Sequence, residues 1–223
     1  MFENRSDAGR RLAARLLRYR DRDPVVLALP RGGVPVAYEV ARALRAPLDV
    51  LVVRKIGAPE DEEVGVGAVA EGGAVYLSGA LFDVPGATAA WLETATRRQA
   101  AEVTRRVRAY RGGRAPLDVA GRTVIVVDDG LATGVTARAA LRALGQRSPG
   151  ATVLAVPVGA ADAVTAIGAE CNEVVCLESP ARFRAVALAY ADFEQTSDEE
   201  VVALLARAAA EHATGRAAPK AGT

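Results

Sequence analysis

The chain has 223 residues, 51% of them apolar but only 4% aromatic, and a formal net charge of +1. That length suffices for one large α/β domain with a core drawn mainly from Ala, Val and Leu. Near-neutral charge argues against a nucleic-acid binder, which ordinarily carries a basic excess. One histidine, His212, and two cysteines, Cys171 and Cys176, without zinc-like spacing argue against a protein-built zinc site.

In chain order, Ser6 or Asp7 caps a predicted helix that runs to about Tyr19 and breaks at residues 21–24. Residues 25–29 are a short apolar run, read as a buried strand. Pro30-Arg31-Gly32-Gly33 is a tight turn, followed by a helix over 34–45 with Val36, Val40 and Leu44 on one face. Residues 48–53 form a second buried strand, and 54–63 a polar loop. Two strands, 64–70 and 74–77, flank a Glu71-Gly72-Gly73 hairpin turn. A long helix rich in Ala, Arg and Glu covers 87–110. Strands at 123–127, 151–158 and 173–177 alternate with helices at 134–144 and 161–168. Residues 178–195 are irregular, and a last helix spans 198–211. Such alternation implies a doubly wound, mainly parallel sheet with flanking helices. In these sheets ligands sit beyond the carboxyl ends of the strands. The N-terminus is not a signal peptide and no apolar run is long enough to span a bilayer, so the chain reads as soluble and cytoplasmic, with no membrane partner.

The segment 124–136 concentrates the chemistry. An apolar strand, Val124-Ile125-Val126-Val127, ends in two carboxylates, Asp128 and Asp129. The small-residue run Gly130-Leu131-Ala132-Thr133-Gly134-Val135-Thr136 then leads into a helix. Unpaired amides at a helix start and the helix dipole favour an anion there. Gly130 and Gly134 admit close backbone approach, and Thr133 and Thr136 add hydroxyl donors. Two carboxylates repel a phosphate but suit sugar hydroxyls, with magnesium held indirectly. A ribose carrying a 5-phosphate satisfies both halves. A P-loop lysine is absent, and Gly65-Val66-Gly67-Ala68-Val69-Ala70, which spells a dinucleotide pattern, has no helix after it.

This segment resembles the signature of type I phosphoribosyltransferases, in which two acids grip the ribose hydroxyls and the following loop cradles the 5-phosphate. Gly130 departs from the small aliphatic residue usual at that place. The resemblance implies that Gly32 and Gly33 form the pyrophosphate loop, with an unusual cis peptide at that turn. It also implies that Arg31, Arg54 and Lys55 are the catalytic cations acting on pyrophosphate. Residues 178–195, together with the N-terminal helix, become a small C-terminal hood over the acceptor, with Phe183, Tyr190 and Phe193 as candidate stacking surfaces. Residues 1–212 are then one domain with a helical insertion at 87–111, and 213–223 a disordered tail. The implied activity is transfer of 5-phosphoribosyl from phosphoribosyl pyrophosphate to a nitrogenous acceptor in nucleotide metabolism, with Mg2+ as cofactor and a homodimer allowed. The loop 57–63 carries four acids and no base where the family places a mobile catalytic loop, which motivates an alternative: a non-catalytic regulatory protein that binds the donor. The arginines Arg97, Arg98, Arg105 and Arg106 read as a solvated helix face paired with Glu93 and Glu102 rather than an RNA surface.

Overall fold

A computed structural model describes residues 1–62 and 64–217. The first half of the chain runs through α1 (Arg5–Leu16), β1 (Val25–Ala28), α2 (Gly33–Leu44), β2 (Leu48–Val50), β3 (Val53–Gly57), β4 (Gly65–Ala70) and β5 (Val75–Leu77). It continues through α3 (Ala89–Arg111), β6 (Thr123–Val127), α4 (Val135–Gly145), β7 (Ala151–Val158), α5 (Ala161–Ile167), β8 (Glu173–Glu178) and α6 (Asp198–Ala217). The most apolar runs pair side by side as a five-stranded, wholly parallel sheet in the order β2-β1-β6-β7-β8. A strand covered by helices on both faces needs no polar alternation. β6 shows the result: Ile125 and Val127 pack toward α1, α2 and α6, while Val124 and Val126 pack toward α4 and α5.

The second sheet corrects the sequence reading. The predicted strand over 48–53 is two strands: β2 stops at Val50, and Val53 opens β3, which pairs with β4 and β5 in an antiparallel sheet. The first part of the predicted polar loop, residues 54–57, is therefore strand. Only Val53 and Ile56 of β3 are buried, and Arg54 and Lys55 between them disguise the run as solvated. The dinucleotide-like glycines lie within β4. A Cβ on Gly67 falls 2.6 Å from the Tyr76 carbonyl oxygen, so close strand approach explains the glycine. The hairpin sheet and α3 share a small core of Ile56, Val66, Val69 and Leu81 with Trp91 and Leu92 against it.

Helix ends also differ. Asn4, not Ser6 or Asp7, caps α1, its side chain accepting from the Asp7 amide at 2.9 Å. Thr88 caps α3. Residues 213–217 of the predicted tail are helical, and 218–223 lie outside the described residues. The segment after β8 folds back on the N-terminus. Phe2 bridges Tyr190, and the Ala191 and Asp192 amides donate to the carbonyls of Phe2 and Glu3 at 2.8 and 2.9 Å. Among the described residues no helix is long and apolar enough to cross a membrane.

Candidate active site

β1 and β6 are adjacent and parallel, so the turns at their carboxyl ends meet. The Leu29 amide donates to the Val127 carbonyl at 2.8 Å, and the Pro30–Arg31 peptide is cis, as the resemblance implied. The two turns interlock through glycine. A Cβ on Gly32 falls 1.9 Å from Asp129 Oδ2, and one on Gly33 2.7 Å from the Val127 carbonyl oxygen. No larger residue fits at either position without displacing the acids.

Asp128 and Asp129 lie side by side, both largely enclosed. Burial and the neighbouring Asp129 charge hold the Asp128 carboxyl well above its usual range. Burial raises Asp129 as well, while the Arg5 guanidinium opposes the rise. Arg5 Nε donates to Asp129 Oδ2 at 2.8 Å, and Asp128 Oδ1 accepts the Asp129 amide at 2.9 Å. The main-chain oxygen of Asp129 accepts from the Tyr190 hydroxyl at 2.6 Å.

Beyond the acids the chain turns into α4 at Gly134. Gly134 takes φ +76°, a left-handed conformation that suits glycine, and caps α4. The first helical bond runs from the Arg138 amide to the Gly134 carbonyl at 2.8 Å, leaving the Val135, Thr136 and Ala137 amides without helical partners. Leu131 is buried and anchors the loop: its amide donates to Val158 O, and its carbonyl accepts from the Ala160 amide, each at 2.9 Å. Ala132 and Thr133 are exposed, and Thr136 is half-buried.

A cavity of about 460 Å³ opens beside Asp129 and Gly32. Arg31 and Arg54 line it as anticipated, joined by Arg5 and Arg106, which the sequence reading did not place in the site. Lys55 instead lines a neighbouring groove of about 500 Å³ with Trp91 and Arg98, which Arg54 shares. The hood aromatics divide. Phe183 lines a third cavity, about 730 Å³, together with Ala132 and Thr133. Tyr190 is buried between Phe2 and Phe193, and the face of Phe193 is covered by the Arg5 guanidinium at 3.8 Å from the ring centroid. Val186 of the hood was missed altogether: it sits directly over Gly130.

Among the described residues no group of three or more His, Cys, Asp or Glu side chains converges on a metal-sized site. Asp128 and Asp129 each have one carboxylate oxygen engaged by the protein, leaving one each. That donor set fits magnesium only where substrate oxygens complete the shell.

Residues 2–190 match the family model described as the phosphoribosyl transferase domain. The chain belongs to the phosphoribosyl transferase family. It is 47% identical over 208 residues to a Mycobacterium tuberculosis protein (strain H37Rv) provisionally named a phosphoribosyl transferase, and equally to its counterpart in strain CDC 1551. The alignment covers 93% of this chain and 47% of each relative, so the chain spans about half the length of these curated relatives. The crystal structure of TT1426 from Thermus thermophilus is 42% identical, with TM-score 0.78, covering 93% of this chain and 98% of that one. The family membership read from the signature segment, and the α/β fold with its parallel sheet, therefore stand.

Proposed function

We propose that the chain binds phosphoribosyl pyrophosphate and transfers its 5-phosphoribosyl group to a nitrogenous acceptor, releasing pyrophosphate. One observation carries this reading: the Asp128-Asp129 pair packs against the Gly32-Gly33 turn, and the same loop runs on into the helix-opening amides of α4. The acids suit the ribose 2- and 3-hydroxyls, because carboxylates accept from hydroxyls and repel phosphate. The helix start suits the 5-phosphate. The Gly33 amide is given to the Leu29 carbonyl at 3.1 Å, which leaves the Gly32 amide, with Arg31 and Arg54, for the departing pyrophosphate.

In the reaction the C1–O bond breaks and its electron pair departs with pyrophosphate. The acceptor nitrogen's lone pair forms the new bond to C1, and the proton on that nitrogen is released to water. The protein positions the two partners and stabilises the departing charge. Magnesium, when bound, would neutralise part of the pyrophosphate charge. The free oxygens of Asp128 and Asp129 are the side-chain atoms that could steady it through the ribose.

Asp128→Asn combined with Asp129→Asn is expected to abolish donor binding in calorimetry; unchanged affinity contradicts the assignment. A second reading, a donor-binding regulatory protein without turnover, is favoured by the run Glu60-Asp61-Glu62-Glu63 after β3, which brings four acids and no base. Pyrophosphate release with any member of a purine and pyrimidine panel rejects it.

A further inference from the structure

α3 was read as a solvated helix whose arginines pair with glutamates on its own surface. Arg97 and Arg105 do so, with Glu93 and Glu102, while Arg98 reaches off the helix to Glu62; these side chains are 71%, 55% and 69% exposed. Arg106 differs. Its side chain is 12% exposed and lines the cavity that also holds Arg31, Arg54, Gly32 and Asp129. Its place in the helix explains the turn inward: it falls between Val103 and Tyr110 on the buried stripe that begins at Gln99.

The guanidinium is held, not free to swing. Arg106 Nε donates to Glu102 Oε1 at 2.7 Å, one turn earlier. Arg54 is held likewise, its Nε donating to Gln99 Oε1 at 3.3 Å. Arg31 reaches the cavity from the β1–α2 turn and lies 3.7 Å from Asp198. Four cations therefore face one volume; Arg5 is engaged by Asp129, and Arg31, Arg54 and Arg106 come from three further elements. Arg106 and Arg31 both repel Arg54, whose guanidinium is shifted below its usual value by burial first and then by that repulsion. Glu102 and Asp198 offset part of this charge, and an anion entering the cavity would offset more of it.

We propose that Arg106 is a further pyrophosphate-binding residue, supplied by α3 and acting with Arg31 and Arg54. This assignment rests on the donor reading given above. It also gives α3 a role in a chain whose acidic loop after β3 offers no base: the cation comes from a helix packed against β3. Glu102 and Gln99 are positioning residues that aim Arg106 and Arg54.

The test uses the whole chain, Arg106→Gln, and two probes titrated separately by calorimetry: magnesium pyrophosphate and ribose 5-phosphate. The expected result is a loss of about tenfold to a hundredfold in pyrophosphate affinity, the scale of one charged hydrogen bond, with ribose 5-phosphate affinity unchanged. The unchanged probe also reports that the fold is intact. Pyrophosphate affinity within about twofold of the unmodified chain overturns the assignment, as does equal loss of both probes, which would make Arg106 a residue of the fold. If the unmodified chain binds ribose 5-phosphate but not pyrophosphate, this inference alone falls. If it binds neither probe nor the intact donor, the donor reading itself falls.

Discussion

Gly130 lacks a side chain for a reason that lies in the hood: a Cβ built there falls 2.5 Å from Val186 Cγ1. Nothing in the segment 124–136 discloses this, because Val186 comes from a part of the chain without periodicity. Gly130→Ala is expected to destabilise by about 1–3 kcal/mol through overpacking, and Val186→Ala in the same chain should recover most of it. Thermal unfolding of the two single variants and the double variant measures the coupling; simple additivity contradicts the contact. The same limit hid Arg5, which is one arginine in an arginine-rich helix until Asp129 is placed beside it. Arg106, by contrast, was legible in principle, because its spacing from Val103 and Tyr110 marks the buried face of α3. The paired acids and the glycine turn were legible outright, since each needs a residue type that few other arrangements require; Gly134 reads from sequence as the first helical residue, and its left-handed turn just before α4 comes only from the structure.

At the scale of elements, the hairpin sheet is joined to the parallel sheet by a buried ion cluster. Arg111, at the end of α3, donates from Nε to both Asp49 oxygens at 3.0 Å and from a terminal nitrogen to the Val50 carbonyl at 2.6 Å, and it pairs with Glu71 of the β4–β5 turn. Glu71 is thus not a plain hairpin residue. Arg111→Met leaves the Asp49 carboxylate buried without its cation and is expected to cost about 3–5 kcal/mol. Denaturant unfolding checks this, and a change below about 1 kcal/mol speaks against it. The reading of 48–53 as one strand failed at this junction: strand propensity continues through Leu51 and Val52, but pairing passes from one sheet to the other there.

Glu102 gives α3 a pH signature. Hydrogen bonds from Arg105, and less strongly from Arg106, hold its carboxyl down to about 2 from an ordinary 4.5. A depressed acid binds fewer protons in the folded state than in the unfolded one. Its stabilisation is therefore complete above about pH 4.5 and lost as pH falls toward about 2. Glu102→Gln should lower the melting temperature at neutral pH, with the gap to the unmodified chain closing across that acid window. A gap that stays constant with pH contradicts the ion pair's part in stability.

For the whole molecule, topology decides where chemistry can occur. The β1 and β6 turns meet because those strands are neighbours in a parallel sheet, and the hood reaches the site because the N-terminal residues pair with 189–192. Strand and helix alternation made the first legible from sequence. The second depended on pairing between the two ends of the chain, and long-range pairing leaves no local pattern. The account as a whole claims that this topology builds two adjoining subsites of opposite electrostatic preference. A crystal structure with phosphoribosyl pyrophosphate bound measures that directly. The ribose hydroxyls are expected on the carboxylates of Asp128 and Asp129, with the 5-phosphate on the amides that open α4. A donor bound elsewhere, or one whose phosphate lies at the carboxylates, contradicts the account.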